Sequence, residues 1–437
     1  MIINRFFVLV ISGLAVVSIS FLTLPVFANQ VVESVIFKPS PLNSLFNQAL
    51  ANNPTLFLAK ARQQTANSKQ QETQSMLAPK LGFKSELSYA WMKNKDFART
   101  STQLEATYPL YEPDKSNLIE MANREYKAAV FERSAQEQKL FLNIAEVYFD
   151  YWQKKAEFKF LQKEQASINE ILQQINQRFQ IGYQDLNDIV EIQARLDMNQ
   201  SDLINAKLAM GIAQSNLEEW VGTSVTLIDK NFLAAMPESL ISQIQLNDEA
   251  EWLAFIKHHP EILLIKEQQA AIKESIDYAK NRDGLQIEAF SALVYNDSNG
   301  NFYDDMEGVR GGVRIEMPLY TGGGTDAAIA KARGLQSQAN ARIQQKKLML
   351  STQAKQAFIK YQALTESLKS LNASLNSTRL AKQATEKGLV TGTRNLLDLL
   401  NAQRQTHKIE RDIPIVKSKI WQSWHQLRWA LGLLKVD

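Results

Sequence analysis

Four short stretches of this chain alternate between apolar and polar residues, and they come in two pairs. Within 81–92, Leu81, Phe83, Leu87, Tyr89 and Trp91 fall on one face, and Lys84, Glu86 and Ser88 on the other. Within 103–111, Leu104, Ala106, Tyr108 and Leu110 oppose Gln103, Glu105 and Thr107. The second pair repeats this: Leu285, Ile287, Ala289, Leu293 and Tyr295 stand against Gln286 and Glu288, and Val309, Val313, Ile315, Met317 and Leu319 against Arg310, Arg314 and Glu316. A period of two predicts strands with one apolar and one polar face. Hydrophilic stretches, 93–100 and 297–307, join the members of each pair. The second is preceded and opened by Asn296-Asp297-Ser298-Asn299-Gly300-Asn301, which is turn chemistry, so each pair predicts a hairpin.

Between the strand pairs the periodicity is helical. Helices are expected around 43–79 and 249–281, with Pro54 and Pro260 near the first turn, where a missing N–H costs least. From 114 to 181 there is neither Gly nor Pro, and one helix of that length would run for ~100 Å. Its counterpart, 326–387, is interrupted only by Gly334. Both are rich in small and uncharged polar residues, which let helices approach closely and suit a face that meets water. Turns at Gly182 and Gly392 lead into shorter helices, 184–222 and 393–432, the last expected to kink at Pro414.

The two sets of elements are copies. Asn52-Asn53-Pro54 aligns with His258-His259-Pro260, Tyr108-Pro109-Leu110-Tyr111 with Met317-Pro318-Leu319-Tyr320, Gly182 with Gly392, Gln193 with Gln403, and 217–222 with 427–432. The offset grows only from about 206 to 210 residues, so few insertions separate them. The expected organisation is a signal segment, 1–28, a first structural repeat, 29–222, an irregular connector in the equatorial region, 223–248, and a second repeat, 249–437.

Composition narrows the function. Gly 17 and Pro 11 in 437 residues are low and favour long helices. A net charge of +3 without a basic run argues against nucleic acid. With no cysteine, disulfides, thiolate metal sites and a lipidated N-terminal cysteine are excluded. At the N-terminus Arg5 precedes an apolar stretch, 6–27, and Val26-Phe27-Ala28 suits signal-peptidase cleavage better than it suits a retained anchor. The mature chain is therefore expected to be exported.

Four strands with an apolar outer face cannot close a barrel alone, since the smallest outer-membrane barrels use about eight. An open sheet in lipid would leave backbone groups unpaired. The charges on the opposite face suit a water-filled lumen, and three copies would supply twelve strands. At this point the chain resembles the TolC family of outer-membrane efflux and secretion channels. The resemblance rests on the duplicated order of elements, on Asn53-Pro54 and Ala78-Pro79, on Pro109-Leu110-Tyr111 and Pro318-Leu319-Tyr320, and on Gly-Thr-Arg-x-x-x-Asp-x-Leu at 392–400. It implies a mainly α fold with a small β part: a homotrimer whose 12-stranded outer-membrane β-barrel, four strands per chain, continues into a long periplasmic α-helical barrel. It implies a passive exit duct for type I protein secretion or multidrug efflux in a Gram-negative outer membrane, extending into the periplasm. Its expected partners are outer-membrane lipid, a periplasmic membrane-fusion adaptor and an inner-membrane ABC or proton-driven transporter. A structural coiled-coil protein without channel activity is the alternative.

The resemblance also assigns residues. Acidic rings close the tunnel on the helix after the second turn; the matching positions are Asp398 and, as a departure, Asn401. A lock is implied between Arg394 on one turn and Asp188 and Asn187 on the other, with Leu389 where relatives carry a Tyr. The turns themselves, Gly182, Tyr183, Leu186, Gly392 and Thr393, are the expected adaptor-docking tips. No cofactor, metal or catalytic residue is expected. Thr321-Gly322-Gly323-Gly324-Thr325 lacks the Lys-Ser/Thr of a phosphate loop. His258-His259 lacks a third metal ligand and is expected at an exposed helix start, and Trp421, Trp424 and Trp429 are expected in the core. With a single acidic ring, cation selectivity should be weaker than in relatives with two. Asp398→Ala should weaken it further in single-channel recordings; unchanged selectivity would remove Asp398 from the constriction.

Overall fold

The computed structural model describes residues 41–92, 95–183, 185–226, 249–298 and 306–434. The signal segment and most of the connector lie outside the described residues. Element order is α1 (Pro41–Asn52), α2 (Pro54–Gln74), β1 (Lys80–Met92), β2 (Lys95–Tyr111), α3 (Pro113–Gln180), α4 (Leu186–Val221), α5 (Glu249–Ile256), α6 (Pro260–Asn281), β3 (Gln286–Ser298), β4 (Met306–Glu316), α7 (Gly324–Val390) and α8 (Leu396–Ala430). The duplication expected from the sequence is visible in this order.

The strands form one antiparallel sheet, β1-β2-β3-β4, so both outer edges are unpaired within the chain. β2 pairs with β3 as well as with β1, which joins the two repeats into a single sheet. Register alternates as expected. Leu81, Phe83, Leu87, Trp91, Leu104, Tyr108, Leu293, Val309, Val313 and Ile315 are exposed on one face, Leu87 by 82% and Trp91 by 79%. On the other face Arg314 Nη1 meets Glu288 at 2.7 Å across the strand pair, its Nη2 lies 3.8 Å from Glu105, and its guanidinium stacks on Phe290. Strands of 11 to 17 residues meet or exceed the ~9–11 needed to span a bilayer.

The hairpins are longer than alternation indicated. The stretch 93–100 is expected as a loop, yet β2 begins at Lys95 and pairs with Met92. Its Asp96, Arg99, Thr100 and Ser101 are polar on both faces, so hydropathy carries no signal there, but the backbone ladder does not need one. Asp297 likewise belongs to β3. Conversely, Met317 and Leu319 lie beyond β4, because Pro318 has no N–H to continue a ladder.

One further expectation changes. The first helix of each repeat is broken in two, at Asn53-Pro54 and His259-Pro260, since proline at N1 starts a helix rather than riding inside its first turn. α8 runs through Pro414 as a single span, as the expected 393–432 helix requires. α3 meets the expected length, with Pro113 at its start. Trp421, Trp424 and Trp429 are buried as expected.

Each broken helix builds a joint. Asn53 caps α2 by accepting from Thr55 N at 2.9 Å, and its Nδ2 donates to Trp220 O at 2.7 Å at the end of α4. Gly222 follows with φ 79°, and a Cβ there would sit 2.7 Å from Asn52 O. In the second copy His259 takes the capping role: its Nδ1 accepts from Glu261 N at 3.1 Å, while Gly432 packs on its Cα and Trp429 lies edge-on at 5.5 Å. His259 is thus fully buried, not exposed as its helix-start position suggested. Nearby, His425 is buried among Phe141, Phe149 and Trp421.

Burial lowers the His259 pKa to about 4, against a smaller opposing pull from Glu261, and that of His425 to about 3. A base whose folded pKa lies below its unfolded value binds its proton mainly after unfolding. Stability is therefore complete above the unfolded pKa near 6.5 and falls as pH drops toward 4. His259 alone accounts for roughly 2 kcal/mol of loss by pH 5. His259→Asn, which copies the first-repeat cap, should flatten the decline of the melting temperature between pH 7 and 5; a decline equal to wild type would show that His259 is not its source.

Candidate functional site

The two hairpin ends are built alike. After α3, Gly182 takes φ 80°, and the N–H groups of Gly182 and Tyr183 return to Phe179 O and Arg178 O, both at 2.9 Å. After α7, Gly392 takes φ 73°, and Thr393 N and Arg394 N both donate to Gly388 O. The left-handed residue past the last turn is what satisfies the orphan carbonyls of each long helix. Gly388 has a second role: a Cβ there would lie 2.7 Å from Arg394 Cγ, so glycine lets the arginine stem fold back on its own helix end. Tyr183, Leu186, Gly392 and Thr393 are exposed.

The helices that leave these turns are capped beside the residues expected to lock and gate. Asp185 caps α4, accepting from Asn187 N at 3.2 Å and Asn187 Nδ2 at 3.3 Å. Asn395 and Asp398 form a reciprocal capping box on α8: Asp398 N donates to Asn395 Oδ1 at 2.7 Å, and Asn395 N to Asp398 Oδ2 at 3.2 Å. Arg394 Nη1 comes within 4.0 Å of the same Asp398 oxygen. Within one chain, Arg394 and Asn187 therefore engage their own turns. Asp398 is partly exposed, with one oxygen committed to the helix start.

Asn401 is where the two hairpins meet. Its Oδ1 accepts from Arg195 Nη1 of α4 at 3.1 Å, while Arg195 Nη2 pairs with Glu191 at 2.7 Å. Beneath this contact Ile168, Ile171 and Ile175 of α3, Ile192 of α4 and Leu396, Leu399 and Leu400 of α8 form a buried cluster, with Leu389 of α7 against it. The cluster brings both turns to one end of the helices.

Sequence reasoning missed a polar junction farther along the same helices. Glu164 lies on the α3 stripe that carries Leu161, Ile168 and Ile171, and it is buried. Arg404 of α8 reaches it at 2.7 Å and Asn199 of α4 at 3.4 Å. Glu410 of α8 takes Lys163 of α3 at 2.8 Å and Arg379 of α7 at 3.1 Å, with His407 at 3.6 Å. Burial would raise the Glu410 pKa, but the hydrogen bonds from Lys163 and Arg379 outweigh it and hold the carboxyl at about 2. A carboxylate in an apolar stripe was the available signal for Glu164. Among the described residues no group of His, Asp or Glu could hold a metal.

The chain matches the family described as "Outer membrane efflux protein" twice, over residues 45–223 and 255–433. It is similar to the outer membrane protein TolC of Vibrio cholerae, 23% identical over 405 residues, covering 90% of this chain and 91% of that one. It is also similar to the alkaline protease secretion protein AprF of Pseudomonas aeruginosa, 23% identical over 69% of this chain and 63% of AprF. Among solved structures, the open-state MtrE outer membrane channel of Neisseria gonorrhoeae superposes with a TM-score of 0.74 at 18% identity, covering 90% of this chain and 89% of MtrE.

Proposed function

This chain belongs to the outer membrane efflux protein family, and we propose that it is the outer-membrane exit duct of a tripartite export system, gated at its hairpin ends. The observation that carries this reading is the sheet. Its exposed apolar face, its charged opposite face and its two unpaired edges describe a barrel segment that other chains must complete. Three copies give twelve strands around an aqueous lumen.

The helices continue the duct into the periplasm. Export energy and cargo choice then come from an inner-membrane ABC or proton-driven transporter, joined through a periplasmic adaptor that docks on the turns at Gly182, Tyr183, Leu186, Gly392 and Thr393. AprF is named for protease secretion and MtrE as a membrane channel; a secreted protein and a small molecule are both cargoes compatible with this architecture. The duct itself performs no chemistry.

At the tip, Arg394 and Asp188 act between neighbouring chains. Asp398 forms the acidic ring, and Asn401 leaves the next position neutral.

The test is conductance of the purified protein in planar bilayers. The duct reading expects discrete channels of low conductance, which Arg394→Ala and Asp188→Ala each increase. Absence of any conductance would favour a structural coiled-coil protein. Wild-type channels that neither substitution alters would remove the Arg394–Asp188 lock while leaving the duct.

A further inference from the structure

We propose that the seam between chains copies the β2–β3 pairing inside the chain, so that β4 meets β1 of a neighbouring copy with Arg314 opposite that copy's Glu86 and Glu316 opposite its Lys84. The duct reading supplies the neighbouring copy, and the seam rests on it; the register comes from the duplication.

The two hairpins are copies down to their registers. Gln286 at the start of β3 follows Lys80 at the start of β1 by 206 residues, and Pro318 follows Pro109 by 209. These offsets carry the β1–β2 pairs onto the β3–β4 pairs: Lys80↔Thr107 becomes Gln286↔Glu316, and Leu87↔Thr100 becomes Leu293↔Val309. β4 is therefore the copy of β2, and β3 the copy of β1. Inside the chain β2 lies against β3, while β4 and β1 are the two free edges. The same offsets carry Glu105↔Ala292 onto Arg314 and Glu86, Thr107↔Phe290 onto Glu316 and Lys84, and Leu104↔Leu293 onto Val313 and Leu87.

Strand lengths show where a partner is missing. β2 has 17 residues and β4 has 11. β2 crosses Pro109 and runs on to Tyr111, where β3 pairs with it. β4 stops before Pro318, and beyond it Met317 and Tyr320 are 54% and 87% exposed. In the copied register these two fall on Phe83 and Leu81 of the neighbouring copy, exposed on the same outer face.

Charge selects the same register. Lys84, Glu86 and Glu316 are exposed and form no ion pair among the described residues. Arg314 already meets Glu288, and its guanidinium has donors to spare. A slip of two residues keeps the apolar side chains outward, so hydropathy does not oppose it. One such slip sets Arg314 against Lys84, and the other sets Glu316 against Glu86. Both are like pairs, which are unfavourable directly across strands.

The inclination of the strands follows. The row through Lys80 and Thr107 reaches Phe290, four residues beyond Gln286, the copy of Lys80. Repeating that displacement at every hairpin of a twelve-stranded barrel tilts the strands by about 54°, steeper than the ~35–45° usual for such barrels. An apolar band ~25 Å tall then takes about 13 residues, and β1 and β3 each have 13.

The chain has no cysteine, so paired cysteines read the seam. Val313→Cys is combined in turn with Phe83→Cys, Ser85→Cys, Leu87→Cys and Tyr89→Cys, all on the outer face, and outer membranes are treated with a short, reducible thiosulfonate crosslinker. The copied register expects the Leu87 pair to give the most covalent trimer on denaturing gels. Stronger linking by any other pair, or none in a protein of trimer mass, overturns the register and leaves the duct. A native mass below the trimer overturns the duct reading, and the seam with it. Lys84→Glu should lower the temperature at which heating dissociates the trimer, and adding Glu316→Lys should restore it. A temperature that Lys84→Glu leaves unchanged, or that the swap fails to restore, overturns the ion pair.

Discussion

Backbone hydrogen bonding in lipid is the constraint from which the rest follows. Four strands present an apolar face to the outside and leave one edge open at β1 and another at β4. Water can satisfy such edges; hydrocarbon cannot. On the duct reading the sheet is therefore closed by strands from other chains, and the number of copies is set by the geometry of a barrel wide enough to hold water. The charged face then needs no special account. Arg314, Glu288 and Glu105 form a compact cross-strand group that is at home on a wetted wall.

Everything below the sheet is duplicated, and the duplication shows which contacts matter. In both repeats a proline starts the second segment of a broken helix, a side chain caps it, and a left-handed glycine at the end of another helix packs on the break, on Asn52 in the first copy and on the cap His259 in the second. The first copy uses Asn53 and the second His259. The geometry is kept while the chemistry differs, so the second joint acquires an acid sensitivity that the first lacks. The hairpin ends repeat the same economy: each has a glycine with positive φ and a side-chain cap, but only the second adds the Asn395–Asp398 box.

Much of this was legible in the sequence, for physical reasons that also mark the limits. Period-two alternation located all four strands, and the absence of Gly and Pro located α3 to within a residue at each end. Strand ends were misplaced where residues such as Arg99 and Ser101 are polar on both faces. His259 was misjudged because a capping position looks solvated until another helix end is packed on it. The tip residues were found through family resemblance, and the structure adds what they do locally: Asp398 caps α8, Arg394 folds back over Gly388, and Asn401 holds Arg195. The Glu164–Arg404 junction was not foreseen, because nothing in the sequence says which helix a charged residue on an apolar stripe will face.

Closure of the barrel by copies of the same chain is the claim on which duct, gate and docking surface all depend. Native mass measurement of the detergent-extracted outer-membrane protein tests it directly. The account predicts a single species of three times the mature chain's mass, which heating converts to the monomer. A species that is monomeric before heating would contradict it.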